Sequence, residues 1–202
     1  MRRRFAGWVI LAALVAGCAT TDASQPSVDD RTDVWFMQHM VPHLLQDTSI
    51  VYLTRDRLAD LELARLADRS YRRDQAHLAE LQGWLAERGL APHGHSHQPD
   101  DTLRRSDLER LSRLDGAALN LAFVEVMTAR HRAGGRLAAT EARDGSLPRV
   151  RELARRLLAE KRTQIGKLQA WRRGPGGSES SRHITSSLAV GIHLGKCWSA
   201  WR

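Results

Sequence analysis

The chain repeats itself once, at a fixed offset and without a gap. Phe36 falls on Phe123, Met40 on Met127, Leu66-Ala67 on Leu153-Ala154, and Leu81-Gln82 with Trp84 on Leu168-Gln169 with Trp171. An aromatic, a methionine and a tryptophan matched in order over nearly fifty residues mark a duplicated structural unit rather than a compositional accident. Duplication sets corresponding positions against each other around a pseudo-twofold axis. The side chains at those positions then decide what the interior can hold.

Each copy reads as a helical hairpin. The pattern predicts a first helix over about residues 33–56, bent near its start by Pro42, and a second over 58–88. Ala64, Ala67, Tyr71, Asp74, Leu78, Leu81 and Leu85 step by three and four along the second helix, the spacing of a core-facing stripe. Residues 89–105 connect the copies. Ser106 with Glu109 has the form of a capping box for a short helix, which Asp115-Gly116 interrupts. A third long helix is predicted over 117–143. After a turn at 144–146, where Ser146 can cap, Pro148 suits the first turn of a fourth that reaches Arg172. No segment alternates apolar and polar residues as a half-buried strand does. The expected fold is all-α, a four-helix bundle of two hairpins over 33–172, with repeats at about 33–88 and 117–172.

The ends lie outside that fold. Arg2, Arg3 and Arg4 precede an apolar stretch from Phe5 to Val15, too short to span a membrane permanently, and Val15-Ala16-Gly17-Cys18 resembles a bacterial lipobox. That pattern implies a signal peptide over 1–17 and a diacylglycerol on the Cys18 thiol. The mature chain is then held to a bacterial membrane, outside the cytoplasm, by lipid. Residues 18–32 read as the lipidated cysteine and a flexible tether, and 173–202 as a disordered tail.

Cys197 is the second of two cysteines, so neither a disulfide framework nor a thiolate metal site follows. The formal charge of +8 drops by three when Arg2, Arg3 and Arg4 leave with the leader. The remaining basic residues alternate with acids along helices and lack aromatic stacking partners, which argues against a nucleic-acid partner.

The arrangement Asp33-x-x-Phe36-x-x-x-Met40-Val-Pro-His43, followed by an Ala/Leu helix ending near Trp84-Leu85, resembles the domain of unknown function 305 family. The second copy, Phe123-x-x-x-Met127-x-x-Arg130-His131, completes the likeness. It implies a ferritin-like bundle, commonly exported, with a Met-x-x-His-His signature in each repeat, and for some Met- and His-rich members an association with copper. Thioether and imidazole are the ligands that suit Cu(I). This chain departs from the pattern where ligands belong. The His-His pair is His43-Leu44 in one copy and Arg130-His131 in the other; later ligand positions hold Ile50, Leu137, Leu81 and Leu168; the Gln-x-x-Glu positions hold Asp74 and His77, then Lys161 and Gln164.

Two expectations follow for the interior. Met40 with His43, and Met127 with His131, lie at helical spacings that put a sulfur and a nitrogen on one face, so these four, with His77 and His39 as auxiliaries, are the candidate copper ligands. Alternatively, acids on the inward stripe of the first copy, Asp47 and Asp74, meet bases of the second, Arg130 and Lys161, as a buried ion-pair cluster in place of an ancestral metal centre. The loop His93-Gly-His95-Ser-His97 adds imidazoles without fixed carboxylates.

Enzyme chemistry finds little support. No Glu has a His three residues later, as di-iron bundles require, and neither a Gly-x-Ser-x-Gly elbow nor a phosphate loop occurs. The chain is therefore expected to be a non-catalytic envelope lipoprotein: either a metal-binding accessory protein, or one that acts on an unidentified envelope protein through contacts with a metal-free core.

Overall fold

The computed structural model describes residues 30–92, 103–174 and 176–178. The leader, Cys18, the His93–His97 loop and the chain beyond Ser178 lie outside the described residues. Five α-helices follow in order: α1 (Arg31–Thr54), α2 (Leu61–Glu87), α3 (Arg105–Arg113), α4 (Gly116–Asp144) and α5 (Pro148–Arg173). A single 3-10 turn, Arg55–Arg57, links α1 to α2. The described residues contain no strand, and none of their helices is long and apolar enough to cross a membrane. The four long helices form the expected bundle: α1 packs on α2, α4 packs on α5, and α1 against α4 joins the hairpins.

The helix ends show what sets their limits. Asp60 caps α2 by accepting from the Leu63 N–H at 2.8 Å, so that helix starts at Leu61 rather than 58. Gly89, at φ 65°, ends it: its N–H reaches the Ala86 carbonyl while Leu90 N–H reaches that of Leu85, a Schellman closure. The Ser106–Glu109 capping box does not form, because α3 begins two residues earlier than it requires, with Arg104 at its cap and no side chain closing it. Nor does Ser146 cap α5. Leu147 stands at that position, Pro148 follows in the first turn, and a distant residue, Asp33, takes up the orphan donors. Arg31 and Thr32 belong to α1 and not to the tether, and α1 runs through Pro42 as one helix. Arg173 belongs to α5 and not to a tail, and 176–178 make one more helical turn beside Trp171.

The core comes in two apolar clusters, and the repeat exchanges them. Phe36, Met40, Leu81, Leu153 and Ala154 lie in one cluster; Phe123, Met127, Leu168, Leu66 and Ala67 lie in or against the other. Each residue of the first group is the repeat mate of one in the second. The pseudo-twofold axis therefore passes between the clusters, and mates meet only near the middle of the bundle. What occupies that middle is polar.

Candidate functional site

The middle layer is built from all four long helices. His43 and Asp47 come from α1, Asp74 from α2, Arg130, His131 and Gly134 from α4, and Lys161 from α5; every one of these side chains is buried. Asp47, with no solvent exposure, is the hub. Arg130 Nε donates to its Oδ1 at 2.8 Å and Lys161 Nζ to its Oδ2 at 3.1 Å. Lys161 also donates to both oxygens of Asp74, at 3.1 and 3.3 Å. A buried charge must be paired and hydrogen-bonded to be tolerated, and here two cations face two carboxylates.

The two histidines of the layer are neutral. Arg130 Nη2 donates to His43 Nδ1 at 2.9 Å and to the His43 carbonyl at 2.7 Å. A guanidinium cannot accept, so His43 Nδ1 presents its lone pair and the ring proton sits on Nε2, 3.5 Å from Asp47 Oδ2. Burial, helped by Arg130 and Lys161 and opposed by Asp47, lowers the His43 pKa to about 3. Burial and Lys161 likewise hold His131 well below its ordinary value, with its Nδ1 3.8 Å from Asp47 Oδ2 and without a hydrogen-bond partner.

The acids and the lysine divide the field unevenly. Burial pushes Asp47 up, but Arg130 foremost, with Lys161, outweighs it and holds the carboxyl well below the usual range. Asp74 goes the other way, raised by burial and by the nearby Asp47 despite Lys161. For Lys161 burial works against the charge, yet Asp74 and Asp47 together raise its pKa. With both acids ionised, the layer carries no net charge.

The sequence-derived ligand candidates are not gathered at one point. Met40 lies in one apolar cluster and Met127 in the other, because the axis sends repeat mates to opposite sides. Both His43 nitrogens face charged groups of the ion-pair layer. His77 turns to α5, with Nε2 3.1 Å from Glu160 Oε2, and Glu80 beside it pairs with Arg156. His39 stacks on Trp35 and its Nδ1 lies 2.7 Å from the Trp35 carbonyl. Met127 and His131 do share a small cavity of about 10 Å³, with Ser70 and Gln164. Gln164 Nε2 donates to Ser70 Oγ at 3.0 Å, and Gln164 Oε1 is buried without a partner.

One member of the layer was not visible as a site residue. Gly134 is the repeat mate of Asp47, and a Cβ there would lie 2.6 Å from His43 Nε2. The imidazole occupies the room that this glycine leaves. A glycine pair inside an otherwise good helix, opposite an inward acid, was the available signal.

The family model for the domain of unknown function DUF305 matches residues 33–172. The chain belongs to the DUF305 family. No curated protein matches it. Among solved structures, the DUF305 bundle is similar to a DUF305 protein of Streptomyces coelicolor described as secreted (TM-score 0.64, 23% identity, 70% of this chain and 91% of that one). A DUF305 fragment from Deinococcus radiodurans aligns with TM-score 0.63 and 20% identity over 70% of this chain and 95% of that one. CopM in its Cu(I)-bound form aligns with TM-score 0.59 and 17% identity over the same shares. At these identities the likeness speaks for the fold.

Copper does not fit the middle of this DUF305 bundle. Arg130 and Lys161 stand inside the layer and already satisfy the carboxylates, so an added cation meets two fixed positive charges and finds no free anion. Among the described residues no three His, Cys, Asp or Glu side chains group as metal ligands.

Proposed function

We propose that this DUF305 protein is a non-catalytic, extracytoplasmic lipoprotein, held to a membrane through Cys18, whose bundle acts through protein contacts and whose ancestral metal position is filled by an ion-pair lock. The observation that carries the reading is Arg130. It sits at the repeat mate of His43, bonds His43 and Asp47 together, and brings a permanent charge to the place where the family pattern puts imidazole. Export is supported by the leader and by the likeness to a family member described as secreted.

A second reading keeps copper. It is favoured by the likeness to CopM, which holds Cu(I), Ag or Cu(II) in its structures, and by Met127 and His131 on one cavity. A strain lacking the gene separates the two. Complementation with Met127→Leu/His131→Leu should give the same copper tolerance as the unaltered gene under the first reading, and a loss under the second. Cys18→Ser should move the protein from the membrane fraction to the soluble fraction; retention at the membrane would remove the lipid tether from the proposal.

A further inference from the structure

We propose that Asp33 and Glu141 form a proton-held latch that fastens the α4–α5 turn to the start of α1, tightest in acid and loosened as the pH rises. The latch lies at the end of the bundle, away from the ion-pair layer, and does not depend on what that layer binds.

Asp33, in the first turn of α1, has no exposed surface. Its Oδ1 accepts from the Leu147 N–H at 2.8 Å and its Oδ2 from the Ser146 N–H at 3.0 Å. Leu147 is the N-cap of α5 and its side chain makes no capping bond, so Asp33 holds the backbone that enters that helix from the far side of the sequence.

Glu141, in the last turn of α4, is also without exposed surface, and no donor reaches either of its oxygens. Its carboxyl lies directly against Gly145, where any Cβ would overlap it. Among the charged groups around it Asp33 acts most strongly, and it pushes the Glu141 pKa up, as a second buried carboxyl close by does. Two carboxylates cannot hydrogen-bond to each other unless one carries a proton. Two backbone N–H groups already point at Asp33, so the shared proton sits on Glu141. The other charged groups facing it are Arg151 from α5 and Asp144 from α4 itself. Burial, then Asp33, raise the Glu141 pKa to about 8, with Arg151 opposing.

The linkage has a definite sign. Opening the turn exposes Glu141 to water, where it ionises near its ordinary 4.5. Between there and about 8 the open form sheds a proton that the closed form keeps, so opening becomes easier as pH rises. Above about 8 both forms have lost it and the dependence levels off. Released protons go to solvent.

The test is amide hydrogen exchange of the full chain by NMR from pH 5 to 9, corrected for intrinsic base catalysis, with Leu81 as a reference in the core. Protection at Ser146 and Leu147 should fall with pH, by up to about tenfold per unit, and flatten near 8 while Leu81 does not follow. Glu141→Gln, which keeps a donor toward Asp33, should give high protection at every pH. Asp33→Asn, which leaves one acceptor for two donors, should give low protection throughout. Flat protection in the unaltered chain, or the same pH slope in Glu141→Gln, would overturn the latch.

Discussion

Asp47 and Gly134 hold the same position in the two repeats, and the imidazole that faces the carboxylate of one fills the space left bare by the other. His43 lies between them, its Nε2 3.5 Å from Asp47 and only 2.6 Å from where a Gly134 Cβ would stand. A twofold-symmetric pair of acids at this level would face each other across the axis. The chain carries an acid in one repeat and a glycine in the other, and a neutral imidazole occupies the room beside that glycine.

Gly134→Ala should therefore destabilise, by about 1–3 kcal/mol of overpacking, even though alanine is the better helix former. Gly135→Ala is the matched control. Its Cβ would meet only Leu158 Cδ1 at 3.9 Å, an ordinary contact, so a gain of about 0.5–1 kcal/mol is expected. Urea unfolding midpoints that move in opposite directions support this account; two gains would mean that His43 yields freely.

Removing one charge from the layer should cost far more than removing two. Lys161→Met leaves Asp74 and half of Asp47 unpaired in the interior, a loss of about 3–5 kcal/mol. Asp74→Leu added to it should recover a large part. Strict additivity of the two changes in a double-mutant cycle would contradict a direct pair.

His43 should make stability depend on acid. Its pKa is about 3 in the fold against 6.5 when exposed, so the unfolded chain binds more protons between those values. The contribution is whole above about pH 6.5 and is lost progressively as the pH falls toward 3. In NMR the His43 ring signals should stay flat from pH 8 to 5, where a free imidazole would titrate. A midpoint near 6.5 for His43 would contradict the buried neutral ring.

Much of this was legible beforehand, for physical reasons. Helix-period stripes and the exact repeat specify two hairpins, and the inward positions of Asp47, Asp74, Arg130 and Lys161 follow from the same spacing. What spacing along one helix does not carry is where the axis lies. Met40 and Met127 look like partners in an alignment, yet the axis places them in opposite clusters, so a site using both sulfurs does not assemble. Long-range caps were illegible for a related reason. Ser146 has local capping chemistry, but Asp33, more than a hundred residues earlier in the chain, reaches the same donors. The Ser106–Glu109 box failed because a motif four residues long does not fix where its helix begins.

The most direct test of the ion-pair lock is a competition titration with Cu(I) under reducing conditions, on the full chain with His93, His95 and His97 replaced by Ser. The predicted result is no stoichiometric complex, and no change when Met127→Leu and His131→Leu are added. A one-to-one complex that disappears with those two substitutions would place a working metal site where the account puts a closed salt-bridged layer, and would contradict it.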